Sequence, residues 1–181
     1  MNTTIISKYM NENKKFVQKE NTRKEDQKNV YNKIEGEGHC PFCEENLLTY
    51  HKLPIIKTGK YWTLTNNQWP YDKIKNQLLA VYKTHIEHIQ EMDPEAGKEL
   101  IELFSEECKK RNIPGGGIAM RFGSNPELGT YGSSVLHLHA HLIEPDLGAL
   151  KSDEAWKFKF GQPKNYKKAE SKIIDNGQKK V

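Results

Sequence analysis

Three histidines alternate with apolar residues in His137-Leu138-His139-Ala140-His141-Leu142-Ile143. On a strand successive side chains point to opposite faces, so the imidazoles line one face while Leu136, Leu138, Ala140 and Leu142 line the other. On a helix residues two apart do not face each other, and the same imidazoles would scatter round the axis. Gly132-Ser133-Ser134 opens the segment with turn residues, and Glu144-Pro145-Asp146 closes it with a proline that cannot donate to a ladder. Such a row supports two chemistries. Alternate histidines can converge on an iron, copper or zinc ion. Alternatively, a neutral imidazole attacks phosphorus, expels a leaving group and forms a phosphoramidate that water or a second nucleophile resolves. Neighbouring imidazoles and hydroxyls then hold the phosphate oxygens.

The second constellation is His39-Cys40-Pro41-Phe42-Cys43. A Cys-X-X-Cys knuckle supplies two thiolates to a tetrahedral zinc and needs two more ligands. The chain has three cysteines and no second pair, so histidines must complete the site. His39 adjoins Cys40, and His88 follows His85 by about one helical turn; both compete as ligands. A redox reading of the pair lacks a surrounding βαβ pattern. Cys108 reads as a core residue and His51 as an exposed loop histidine.

These groups must be positioned by an α+β fold, helices packed on a mostly antiparallel sheet. Strands are expected at Tyr61-Trp62-Thr63-Leu64-Thr65, at Leu78-Leu79-Ala80-Val81-Tyr82 and at Ile118-Ala119-Met120-Arg121-Phe122, followed by the histidine strand. Between the second and third, a helix starts at Asp93-Pro94-Glu95 with an acceptor at the N-cap, proline first and acid in the first turn. Its apolar face is Leu100, Ile101, Leu103, Phe104 and Cys108, and it stops at Lys109-Lys110-Arg111-Asn112.

Composition limits the class. The chain has 181 residues, 35% hydrophobic and 29% charged, with a mean hydropathy of -0.84. Residues 1–35 carry eight Lys and Arg against five Asp and Glu, and residues 151–181 carry nine against four. The net +4 of the whole chain therefore leaves residues 36–150 at -4, and the basic character belongs to the flanks. We expect a basic helical or disordered N-terminal extension over 1–35, a catalytic domain over 36–150 and a basic C-terminal tail over 151–181. No apolar run approaches the length of a signal peptide or membrane span, and the cysteine usage suits a reducing compartment, so a cytoplasmic location without membrane association is expected.

The segment Gly132-Ser133-Ser134-Val135-Leu136-His137-Leu138-His139-Ala140-His141-Leu142-Ile143 resembles the signature of the histidine triad (HIT) superfamily, His-φ-His-φ-His-φ-φ with φ apolar. Upstream, Tyr61 to Asn66 and Leu78 to His85 resemble the two early strands of that family and its Lys-X-His turn, and the resemblance spans roughly residues 40–146. It implies a homodimeric nucleotide hydrolase or nucleotidyl transferase working through a nucleotidyl-histidine. His139 would be the nucleophile, His141 would lie beside the scissile phosphate, Ser134 would contact the phosphate or leaving group, and Gly132, Ser133 and Asn66 would bind substrate, Asn66 at the ribose. In the zinc-bearing branches the ligands match Cys40, Cys43, His85 and His137, which implies a structural zinc. The chain departs from the family pattern at Gly132-Ser133, where Gly-Gln is common, and at Lys75-Asn76-Gln77, where many members carry Pro-Gly-His. Retention of His141, where uridylyltransferase relatives carry glutamine, points to the hydrolase and adenylyltransferase branches, with a dinucleoside polyphosphate, a nucleoside phosphoramidate or an aminoacyl-adenylate as substrate.

A binding function is the alternative. Trp156, Phe158, Phe160 and Tyr166 are interleaved with Lys151, Lys157, Lys159, Lys164, Lys167 and Lys168, a pattern able to contact the phosphates and stack on the bases of nucleic acid, including RNA 5' ends.

Overall fold

Short apolar runs with β-branched and aromatic residues build a sheet, and one long amphipathic helix covers one of its faces. The computed structural model describes residues 15–125 and 129–161. In chain order the elements are α1 (Glu25–Glu37), α2 (Glu44–Tyr50), β1 (Ile55–Thr58), β2 (Trp62–Asn66), β3 (Ile74–Tyr82), α3 (Pro94–Arg111), β4 (Gly117–Arg121), β5 (Ser124–Asn125), β6 (Gly129–Thr130) and β7 (His139–Pro145). A five-stranded antiparallel sheet runs β1-β2-β3-β7-β4, with β5 and β6 forming a separate small ladder. This is the α+β architecture expected from the sequence. Lys164, Tyr166, Lys167 and Lys168 lie outside the described residues.

α3 forms where its signals stand. Asp93 caps it by accepting from the Glu95 N–H at 2.9 Å, and Asn112 ends it in the left-handed region at φ 54°. Its buried face is Ala96, Leu100, Leu103 and Phe104, with Cys108 packed at the edge. Ile101, expected in that face, is 54% exposed, because the stripe turns through Ala96 and Glu107 instead. Opposite α3 stand Trp62, Leu64, Leu78, Ala80, Leu138, Ala140 and Leu142. Period-2 alternation therefore sends Gln77, Leu79, Val81, His139 and His141 to the other face of the sheet.

That second face is covered from the N-terminal side. Val17, Tyr31 and Ile34 bury themselves with Cys40, Tyr50 and Val135, and Val17 bridges Val135 through Gln18 N–H to Ser134 O and Leu136 N–H to Phe16 O. Part of the N-terminal flank thus packs against the sheet. β1 carries no alternation that marks it in advance; it is a half-buried edge strand paired to β2. The other edge is β4, where Ile118 is 50% exposed. His51 corrects the reading of an exposed loop histidine. It is buried, with Nε2 2.7 Å from Thr65 Oγ1, and burial holds its pKa below the usual histidine value. No helix among the described residues is long and apolar enough to cross a membrane.

Candidate active site and metal centre

β7 begins at His139 rather than His137, which corrects the expectation of three imidazoles on one strand face. His137 lies in a bend just before the strand, where Leu138 N–H donates to Ile86 O and Tyr82 N–H to Leu138 O. The bend turns His137 toward the chain that follows β3, while His139 and His141 keep the alternation. One sequence motif thereby serves two sites.

At the first site, Cys40, Cys43, His85 and His137 bring their donor atoms within 4.8 Å of one another. Cys40 Sγ is 3.3 Å and Cys43 Sγ 4.0 Å from His137 Nδ1, Cys43 Sγ is 3.5 Å from His85 Nδ1, and the two Nδ1 atoms are 3.2 Å apart. His137 donates its Nε2–H to Tyr82 O, so its Nδ1 carries a lone pair. A lone pair facing a second imidazole nitrogen and two sulfurs calls for a cation. A tetrahedron with Zn–S of about 2.3 Å and Zn–N of about 2.05 Å has edges of about 3.5 Å from sulfur to nitrogen and about 3.3 Å between nitrogens. The donor set fits zinc, and three of these four separations lie close to those edges, with Cys43 to His137 the longer one. His85 turns Nε2 toward the Glu87 carboxylate at 3.6 Å, an outer contact of the kind that orients a ligand imidazole. Burial pushes the Cys40 thiol up to about 12, so a thiolate there needs a cation beside it. Neither competing histidine joins: His39 pairs with Tyr50 and Glu37, and His88 caps the short turn Ile89–Glu91.

The second site is a cavity of about 40 Å³ on the same face. His139 and His141 form its floor, at 5.3 Å between ring centroids and nearly perpendicular. His139 donates Nδ1–H to His137 O at 2.6 Å, which leaves its Nε2 a lone pair. Burial depresses its pKa to about 4, an effect that the positive charge of Arg121 reinforces, and the ring is neutral at physiological pH. His141 is held the other way round. Tyr71 N–H donates to Gln77 Oε1 at 2.8 Å, which fixes the amide so that Gln77 Nε2–H donates to His141 Nδ1 at 3.3 Å. His141 therefore presents Nε2–H, and burial holds its pKa well below the usual value. One imidazole offers a lone pair and its neighbour offers a proton donor.

Ser134 also lines the cavity, its hydroxyl 3.1 Å from Tyr31 OH, which in turn accepts from Gln27. Gly132 lines it with φ at 90°, a left-handed conformation suited to glycine. Ser133 does not: its hydroxyl is buried and donates to Val135 O. Asn66, expected at the ribose, lies on the α3 side of the sheet and accepts from Arg111 at 2.9 Å, because alternation puts it with Trp62 and Leu64. Asn67 takes its place at the cavity wall. The Lys75-Asn76-Gln77 departure proves informative, since Gln77 itself steadies His141. Sequence reasoning missed Arg23, Tyr31 and Tyr71, for which no local motif exists, and saw Gln77 only as a departure from the family pattern. It missed Arg121 as a site residue too, although its place opposite His139 follows once β4 and β7 are aligned. Trp156 and Phe158 pack edge-on against Tyr71, at 5.8 and 5.7 Å between centroids.

No family model matches the chain, and no curated protein matches it in sequence. Similar solved structures include histidine triad proteins. A histidine triad protein from Clostridium difficile is 16% identical over 65% of this chain and 96% of its own, with a TM-score of 0.47. A zinc-bound histidine triad family protein from Mycobacterium smegmatis is 16% identical over 65% of this chain and 81% of its own, with a TM-score of 0.43. The diadenosine triphosphate hydrolase of Plasmodium falciparum, solved with cyclomarin A, is 22% identical over 57% of this chain and 65% of its own, with a TM-score of 0.42.

Proposed function

We propose that the chain is a histidine triad nucleotide hydrolase or nucleotidyl transferase that works at an α-phosphate through a covalent intermediate on His139. The observation that carries this reading is the opposed hydrogen bonding of the two neutral imidazoles, His139 with Nε2 bare and His141 with Nε2 protonated. Nε2 of His139 attacks phosphorus, the P–N bond forms, and the bond to the leaving group breaks with its electron pair going to that group, a phosphate leaving as the anion and an amine taking up one proton from solvent. His141 Nε2–H donates a hydrogen bond to a phosphoryl oxygen and keeps its proton. Water then attacks the same phosphorus, the P–N bond breaks, His139 returns as a neutral imidazole, and the proton of the water passes to solvent. Ser134 and Gly132 line the phosphate side. A zinc ion at Cys40, Cys43, His85 and His137 would be structural, since four protein donors leave no open position. The cysteines, free of disulfides, suit the cytoplasm.

The direct test is acid-free trapping. Incubation with a diadenosine polyphosphate or adenosine phosphoramidate, then rapid denaturation and peptide mass analysis, is expected to find one nucleotidyl group on His139. A full turnover with no adduct on any histidine would remove the covalent route.

The role of Gln77 gives a finer test. Gln77→Leu frees the His141 tautomer and is expected to lower kcat about tenfold, whereas Gln77→Glu accepts from Nδ1–H, turns a lone pair toward the phosphate, and costs about 100-fold. Equal losses in the two variants would show that the tautomer does not matter.

A further inference from the structure

Charge in the cavity exceeds what one phosphate under attack requires. Arg121 is the register partner of His139, so its side chain rises beside the nucleophile from the same face of the sheet. Its Nη1–H donates to Tyr71 OH at 3.1 Å and its Nη2–H to Lys159 O at 2.6 Å, and Phe158 covers it at 3.9 Å to the ring centroid. Its Nε is buried without a partner, alone in this among the side-chain N and O atoms of the described residues. A buried N–H is seldom left without an acceptor. That donor stands beside Gly132, 3.2 Å from where a Cβ would sit, so the glycine leaves room at it. Arg23 approaches from the segment before α1: its guanidinium lies 4.0 Å over the Tyr71 ring and its Nη2–H donates to Trp69 O at 2.9 Å. Both arginines line the cavity with His139, His141 and Ser134, and no carboxylate among the described residues lines it with them.

We infer that Arg121 and Arg23 are specificity-determining residues that clamp a second anionic group of the substrate, a phosphate beyond the α-phosphate. The inference rests on the nucleotidyl-transfer reading and adds to it a preference set by this chain's own arginines. One guanidinium balances the phosphoryl group beside His139. The second has no anion to pair with unless another follows, because no carboxylate among the described residues lines the cavity. A leaving phosphate departs as an anion with the electron pair of the broken P–O bond and stays paired to the clamp. A neutral amine leaving group gives the second guanidinium nothing to hold. Arg23 also gives the N-terminal flank a part in recognition.

Calorimetric titration of the full chain with AMP and with ADP tests the clamp without turnover, in the wild type, Arg23→Gln, Arg121→Gln and the double variant. Thermal melting checks that each is folded. The wild type is expected to bind ADP at least about tenfold more tightly than AMP, each single variant to lose most of that ratio, and the double variant to bring it to about one. Because Arg121 also holds Lys159 and Phe158, Arg121→Lys and Arg23→Gln keep the test open should Arg121→Gln unfold. A wild-type ratio near one, or a ratio that survives in Arg23→Gln together with Arg121→Lys, overturns the clamp while leaving the His139 chemistry standing. Binding of neither nucleotide overturns the nucleotide reading, and the clamp with it.

Discussion

Alanine at position 139 is expected to lower turnover of a diadenosine polyphosphate and of adenosine phosphoramidate by on the order of 10⁴-fold or more, in a protein that still melts cooperatively. His141 and Ser134, which line the cavity with His139, are engaged elsewhere. His141 has Nδ1 occupied by Gln77 and a proton on Nε2, and the Ser134 hydroxyl is engaged with Tyr31. His51, which also lines the cavity, donates Nε2–H to Thr65 Oγ1, which in turn donates to Pro54 O. The loss is therefore one of the nucleophile and not of binding, so affinity for AMP should change far less than kcat. His139 is buried and packs edge-on against Phe42 at 5.2 Å, so its removal costs stability as well, about 2–4 kcal/mol by analogy with other large buried side chains. His139→Asn, which keeps a side chain able to bond His137 O, should recover part of that stability and none of the activity. Release of AMP followed by chromatography, beside a melting curve, separates the two effects. Turnover within tenfold of the wild type in a folded variant would exclude His139 as nucleophile.

The parts of this site that were legible in the sequence are those with short-range patterns. Alternation placed His139 and His141 on one face, and capping chemistry placed α3 between Asp93 and Asn112. What alternation could not show was the bend at His137. That bend is imposed from outside the strand, by Ile86 O and Tyr82, and it is what frees the first imidazole for a different partner. Asn66 failed for the converse reason: a turn signal says where a strand ends but not which face its last residue takes. Arg23, Tyr31 and Arg121 come from segments more than 80 residues apart at the extremes, joined only by tertiary packing. In sequence they read as charge in a basic flank, a helix-face aromatic and a strand-end cation. Gln77 was visible as a departure from a motif, and only its hydrogen bonds show that the departure has a function of its own.

Zinc is expected at one atom per chain by elemental analysis, and its loss should be felt both in the melting temperature and at the nucleotide site. Cys40→Ser or His85→Ala should lower zinc content together with Tm, by about 10 °C or more, as follows when several kcal/mol of metal-coupled folding energy is withdrawn. The ion would join segments 97 and 42 residues apart, Cys40 to His137 and Cys43 to His85. Without it, those closures depend on the small cluster that Cys40 shares with Val17, Tyr31 and Ile34. Phe42 transmits the effect. It sits between the two cysteines in sequence and packs edge-on against both His137, at 6.1 Å, and His139, at 5.2 Å. A loosened knuckle therefore lets the nucleophile's ring lose one wall. Chelation should then lower kcat even though the ion touches no substrate, and readdition of zinc should restore kcat and Tm together. Cobalt in place of zinc offers an independent reading, since tetrahedral coordination by two thiolates and two imidazoles gives intense visible absorption that an octahedral surface site does not. A zinc-free protein with unchanged melting temperature would overturn the structural role. A zinc-free protein with a lowered melting temperature but unchanged turnover would uncouple Phe42 from the chemistry.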